Sequence, residues 1–294
     1  MKKTDLIRIT YVSILVLGIS GCYNQDFENG TFQAIDSNGK TQKIIGTAVT
    51  ATGNSEFAAV GVDASLENRQ FSLIPIVLNS KDFASEDIHV QMIVALDSLD
   101  SYNKANKTKY VMPGGSGTPV FTLVDDGLVT ISKGSNVGYL KIMTKSAEYF
   151  TAVTYAFPYR IASVKEQGYV ISGNHNFGIV ALIPKNIYDG EYRSTGTFTR
   201  LGVTRGINRD KKLSSVNSNT CNTEFADLGP SSMNLTVNPD NTVTLVPKDD
   251  ANPGTIQLYT EPGDNTYDPS KKTFKIHYSY GGGTREGKET IKKK

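Results

Sequence analysis

The chain has 294 residues, 38% of them hydrophobic and 20% charged, with 15 Tyr, 12 Phe and no Trp. That apolar content is enough to bury a core and excludes a disordered chain, while a net charge of +2 argues against nucleic acid as a partner. Two cysteines, Cys22 and Cys221, exclude a disulfide framework.

Residues 1–21 have the order of a cleaved export signal. Lys2, Lys3 and Arg8 form a basic segment, followed by an apolar run over residues 9–18 (ITYVSILVLG) that is too short to span a bilayer. The run leads into Ile19-Ser20-Gly21-Cys22, the arrangement of a bacterial lipobox. Cys22 is therefore expected to be the first residue of the mature protein, acylated with chains such as palmitate and held in the outer membrane by that anchor alone. Cleavage removes Lys2, Lys3, Arg8 and Asp5, which takes the net charge from +2 to zero. Residues 22–42 are polar and rich in Asn and Gly, and read as a flexible tether. Asp26 and Glu28 resemble the surface-export signals of Bacteroidetes-type lipoproteins, or are solvated linker charges.

From residue 43 onward the hydrophobic period is two, the period of strands. Residues 71–78 (FSLIPIVL) are apolar on both faces and suit a central strand, although Pro75 calls for an edge or a bulge. Ile88, Val90, Met92, Val94 and Leu96 alternate with residues that include an outward His89. Leu99, Tyr102 and Ala105 fall at helical spacing and predict one short helix. Residues 129–142 (VTISKGSNVGYLKI) read as a hairpin around Lys133-Gly134-Ser135-Asn136. Val153, Tyr155, Phe157, Tyr159 and Ile161 form a further strand, as do Phe177, Ile179, Ala181 and Ile183. The core pattern stops around residues 183–190, where a domain boundary is expected. Beyond it, residues 191–200 form a strand, and Met233, Leu235 and Val237 turn through Asn238-Pro239-Asp240-Asn241 into Val243 and Leu245. Phe274, Ile276, Tyr278 and Tyr280 alternate with residues that include His277, expected to point outward, before the flexible turn Gly281-Gly282-Gly283. The fold class is all-β: a signal peptide over 1–21, a tether over 22–42, an antiparallel β-sandwich over 43–184, and a second antiparallel sandwich or barrel over 185–294.

The stretches LNSKDFASEDIHVQMIV, LDSYNKANKTKYVMP and VTISKGSNVGYLKI resemble the N-terminal domain of Bacteroides-type surface lipoproteins encoded with glycan-utilisation systems. Tyr102, Asn103, Asn106, Thr108 and Tyr110 carry the most distinctive part of that likeness. The resemblance implies an immunoglobulin-like fold, also found ahead of the catalytic barrel in a chitinase-like endoglycosidase. YDGEYRSTGTFTR and YDPSKKTFKIHYSY resemble the uncharacterised domain that commonly follows it. Where that domain commonly has a Trp, this chain has Gly281-Gly282-Gly283, so sugar stacking would fall to Tyr or Phe.

Chemistry is sparsely represented. Glycoside hydrolysis needs two carboxylates roughly 5 to 9.5 Å apart across the sugar, whereas Asp125-Asp126 and Asp249-Asp250 read as turns. His89, His175 and His277 stand alone, without metal-ligand spacing, and no phosphate-binding or nucleotide motif is present. Asp264 and Asp268 suit hard-oxygen ligation of calcium or a hairpin loop, and Cys221 reads as a buried residue rather than a nucleophile. No enzyme activity, cofactor or metal is expected. Sugar binding asks for aromatic faces beside amides and carboxylates. Tyr188, Tyr192, Tyr259, Tyr267 and Tyr280 are the candidates for the rings, with Asp264, Asn265 and Asp268 for the polar groups. The functional expectation is a lipid-anchored surface protein that binds glycans or supports a glycan-utilisation complex. The alternative is a structural or adhesion subunit that meets a protein partner through its edge strands.

Overall fold

The computed structural model describes residues 43–49, 56–248 and 256–294. Signal, tether, Cys22 and the Asp249-Asp250 pair lie outside them. The protein is all-β, as the period-two pattern requires. It divides into two compact units, one made of residues up to 59 with 70–144 and 155–181, the other of 60–69, 145–154 and 182–294.

The first unit is built on two five-stranded sheets. One has the order β5 (Phe121–Leu123), β7 (Val137–Thr144), β3 (Arg69–Asn79), β1 (Lys43–Thr47) and β9 (Tyr169–Ile171). The other runs β2 (Phe57–Asp63), β10 (Phe177–Lys185), β8 (Ala156–Val164), β4 (Ile88–Val94) and β6 (Leu128–Ile131). β1–β3, β5–β7, β8–β10, β4–β6 and β4–β8 pair antiparallel, and β1–β9 pairs parallel. Pro75, expected at an edge or a bulge, lies instead in β3, which has neighbours on both sides. Its missing N–H costs nothing towards β1, because the paired register there ends at Ile76 and the Pro75 carbonyl accepts from Ala48 N–H at 3.0 Å. The predicted hairpin over 129–142 is corrected: β6 and β7 belong to opposite sheets, so this segment carries the chain across the sandwich. Val129, Ile131, Leu140 and Ile142 are buried as expected, since alternation reports burial and not the pairing partner.

The α-helix predicted from Leu99, Tyr102 and Ala105 is present as α1 (Leu96–Asn106). Leu99 packs with Ala156, Ile179 and Ala181, which explains why β8 and β10 are apolar on both faces. The motif that carries the family likeness builds the end of this helix. Asn103 Oδ1 accepts from the Thr108 hydroxyl at 2.8 Å and Tyr110 N–H at 3.0 Å, while its amide donates to the Tyr110 carbonyl. Tyr102 and Tyr110 then stack on Phe57, at 4.7 and 5.1 Å between ring centroids.

The second unit is one large sheet of order β15 (Val243–Pro247), β14 (Leu228–Val237), β13 (Thr220–Phe225), β12 (Val203–Ser215), β11 (Gly190–Arg200), β19 (Arg285–Lys293), β18 (Thr273–Tyr280) and β16 (Gln257–Leu258), with β17 (Thr266–Asp268) also on β18. It curls into a nearly closed barrel. The ends meet through the backbone: Val243 N–H donates to the Asn265 carbonyl at 2.7 Å, and Tyr267 N–H to the Asn241 carbonyl at 2.8 Å. The β14–β15 hairpin forms in the predicted register, Val237 opposite Val243 and Leu235 opposite Leu245.

Closure dictates what the interior holds, because every second residue of each strand must point into a space of fixed size. One end is plugged by Tyr192, Tyr267 and Phe274, with Tyr188 edge-on to Tyr267 at 4.9 Å. The middle is polar. Glu289 and Lys211, both fully buried, form an ion pair across the interior. The Glu289 carboxylate also accepts from the Ser194 hydroxyl at 2.7 Å, the Tyr278 hydroxyl at 3.0 Å and Ala226 N–H at 3.1 Å. Burial pushes the Lys211 ammonium below its ordinary range while Glu289 pulls it back up. The Tyr278 phenol is pushed well above its range by burial and by the neighbouring carboxylate. Gly287 makes room for this layer, since a Cβ there would lie 2.6 Å from the Tyr278 ring.

Removing the carboxylate would leave the buried Lys211 ammonium without its counter-charge and the Ser194 and Tyr278 hydroxyls without their acceptor. Glu289→Leu is therefore expected to lower stability by about 3–5 kcal/mol, measured as a fall in the urea midpoint. An unchanged midpoint would show that the network is dispensable.

Candidate functional site

The predicted sugar-binding residues scatter when placed on the barrel. Tyr192 and Tyr267 are core aromatics, so neither offers a face to solvent; this corrects the expectation for both, and burial pushes their phenols up. Tyr188 is half-buried and committed to the same plug. Asn265 is a buried strut, donating to the Tyr259 and His277 carbonyls and accepting from His277 N–H. Asp268 caps a turn through Ser270 and Lys271, and the Ser270 hydroxyl is the main reason its carboxyl is pulled down to about 2.

Tyr259 and Asp264 do come together, around a residue expected to face solvent. His277 is 7% exposed, because β16 and β17 both pair with β18 and the loop between them brings Tyr259 and Asp264 onto it. The Tyr259 ring stacks on the imidazole at 4.0 Å and 11°. The imidazole is held between Asp264 at 2.6 Å and Glu286 at 2.8 Å, one carboxylate at each ring nitrogen. Its polar atoms are thereby spent within the protein, and Asp264 also faces Lys288 at 3.7 Å. Cys221 is buried as expected, its thiol on the Asn186 side-chain carbonyl at 3.2 Å and pushed up to about 12 by burial.

The concave site lies at the barrel end opposite the tyrosine plug. It is a cleft of about 450 Å³ lined by Phe198, Arg200, Val203, Arg205, Leu228, Ser231, Tyr280 and Arg285. Its origin is a failure of pairing. β12 bonds to β13 only at Ser214–Asn222 and Ser215–Cys221, so the first half of β12 leaves a gap in the wall. Side chains bridge that gap: Arg205 grips Asp227 with both guanidinium nitrogens, and Arg209 reaches Glu224 at 3.1 Å. These pairs hold Asp227 below the usual carboxylate range. Arg205 and Arg285 each lie over an aromatic ring, Phe198 at 4.9 Å and Tyr280 at 5.5 Å. Of the cleft residues only Tyr280 was a sequence candidate. The signal for the rest was register: Arg200 continues the inward series Tyr192, Ser194, Gly196, Phe198, and Arg285 the series Ile291, Glu289, Gly287.

A second hollow of about 610 Å³, in the first unit, runs along α1 past Glu56, Asp97, Ser98, Tyr102 and Phe177. Asp97 and Ser98 there are engaged by Arg160. Among the described residues no group of three or more potential metal ligands comes together.

Comparison with known proteins gives two family matches, one to a model described as an N-terminal domain over residues 31–168 and one to a model described as C-terminal over residues 177–294. No curated protein matches. Solved structures similar to the chain include a Bacteroides ovatus protein of unknown function, 14% identical, with 86% of this chain and 95% of that one covered at a TM-score of 0.53. An auxiliary nutrient binding protein from Bacteroides thetaiotaomicron is 16% identical over 81% and 89% of the two chains, at a TM-score of 0.44. EndoBT-3987 from the same species, solved with Man5GlcNAc product, is 15% identical over 44% of this chain and 28% of its own, at a TM-score of 0.34. Between them the two family models take in most of the sequence, residues 31–168 matching the N-terminal domain and residues 177–294 the C-terminal domain that they describe.

Proposed function

We propose that the protein is a lipid-anchored outer-membrane protein that captures glycans, in support of a glycan-utilisation complex, at the mouth of its second-unit barrel. One observation carries the reading: the cleft of about 450 Å³ combines apolar walls with unspent polar groups. That size falls within the range of small-molecule sites, and barrel mouths are a common place for them. Phe198, Val203 and Leu228 offer apolar surface to the C–H face of a sugar, while Arg200, Arg285 and the Tyr280 hydroxyl offer donors to its oxygens. The Tyr259 platform, by contrast, has its histidine and both carboxylates already engaged with one another. Anchoring raises the effect of a weak site, because it holds captured material near the transporters and enzymes of the same membrane. No chemical step is assigned to the cleft, and the role proposed is binding.

Ser231 lines the cleft from β14, so Ser231→Phe should fill it without altering its charge. A glycan array followed by calorimetry on the full-length protein is expected to give at least one saturable ligand, weakened at least tenfold by Ser231→Phe. Silence across plant, host and microbial glycans, or affinity indifferent to the substitution, would contradict the proposal. The anchor is tested separately. Metabolic labelling with an alkynyl palmitate should mark the wild type and not Cys22→Ser, which should also leave the membrane fraction; equal labelling of the two would refute lipidation at Cys22.

A further inference from the structure

Three features of the cleft are unexplained by a generic sugar site. Arg200 and Arg285 are direct cross-strand partners on the inward face of β11 and β19, an arrangement in which like charges repel. Among the described residues neither has a carboxylate within ion-pair distance, whereas Arg205 beside them is matched by Asp227. Tyr280 is 3% exposed, and its hydroxyl is buried without a hydrogen-bond partner. Burial raises its phenol above the ordinary range, against the downward pull of Arg285, Arg200 and Arg205, with Asp227 adding a smaller push upward. The hydroxyl thus remains a donor at neutral pH. All the unspent groups on this wall are donors, two of them cationic, and what they lack is an acceptor with negative charge.

We infer that the cleft selects an anionic sugar, one whose carboxylate or sulfate is received by Arg200 and Arg285 with the Tyr280 hydroxyl as a third donor. This inference rests on the glycan-binding reading above and names the class of ligand. The planar fork of a guanidinium matches the oxygens of a carboxylate or a sulfate, which an ammonium would not do as well. Stacking on Tyr280 holds Arg285 in place before the ligand arrives, and the Asp227 pair leaves Arg205 to shape the wall rather than add free charge. An anion between Arg200 and Arg285 would turn their repulsion into attraction and would satisfy the buried phenol.

The test is calorimetry on the full-length protein with four probes: oligogalacturonate, its methyl-esterified neutral counterpart, dextran sulfate and dextran. At least one anionic probe is expected to bind about tenfold or more tighter than its neutral counterpart and to weaken as salt is raised. Preference for oligogalacturonate assigns a uronate site, and preference for dextran sulfate a sulfated one. Arg200→Gln and Arg285→Gln should each reduce anionic affinity about tenfold and erase the preference. Tyr280→Phe separates binding from folding, because deleting an unsatisfied hydroxyl should raise the melting temperature while weakening the anionic probe. Neutral probes that bind as tightly as anionic ones, with affinities indifferent to the arginine substitutions, would overturn the inference and leave the glycan reading standing. No binding by any of the four, with a glycan array also silent, overturns both. Capture on phosphatidylglycerol vesicles through Arg200 and Arg285, in place of sugar binding, would assign the cleft to a membrane surface and likewise overturn it.

Discussion

The carboxylate of Glu289 is the point from which the second unit is organised. Four donors on four different segments converge on it: Ser194 from β11, Lys211 from β12, Ala226 from the β13–β14 turn and Tyr278 from β18. Taking an ion pair out of water is expensive, and the cost is met only when the remaining lone pairs and protons are satisfied. Here they are, with Lys211 also donating to the Glu224 carbonyl. Because Ala226 N–H is one of the donors, the network draws the β13–β14 turn over the interior, with Ala226 in the left-handed backbone region at φ 45°. The next residue, Asp227, is thereby set to receive Arg205. A buried charge in the middle of the barrel so fixes a wall of the cleft at its mouth.

The same constraint explains why the cleft lies at one end. Strands closed into a small barrel fill their own interior, and one end is occupied by the aromatic plug of Tyr192, Tyr267 and Phe274, with Lys293 reaching the Ile187 and Asp189 carbonyls. At the other end the β12–β13 ladder has stopped, and charged side chains take the place of backbone hydrogen bonds. Adjacent strands there carry Arg200 opposite Arg285, and the tight turn from β11 to β12 places exposed Leu201 at φ 50°. Left-handed backbone is unfavourable for a residue with a branched side chain. Local rules are broken together at this rim, which is where natural sequences keep function rather than stability.

Much of the fold was legible because burial on one face of a strand forces alternation in the sequence. The strand from Thr273 to Tyr280 and the Val237–Val243 hairpin were readable on that ground, and the helix that carries Leu99 was readable from its own helical spacing. Pairing was less so. Val129 and Ile131 alternate in the same way whether β7 is their hydrogen-bonded neighbour or faces them from the opposite sheet. The site was legible only in part, because an aromatic residue near a loop looks the same whether it plugs a barrel, as Tyr192 and Tyr267 do, or meets solvent, as Tyr259 does. His277 read as outward because period two describes a strand and says nothing of the segment that later covers it. The arginines were missed for the converse reason: an inward charge is visible only once closure has defined an inside.

The most direct test of a barrel-mouth site is hydrogen–deuterium exchange of the full-length protein, free and saturated with a bound glycan. Slower exchange confined to residues 198–205, 226–231 and 280–285 is the result that a ligand seated among Phe198, Arg200, Tyr280 and Arg285 requires. Protection confined to the α1 hollow over residues 97–106, or to the Tyr259 segment with the mouth unchanged, would contradict it.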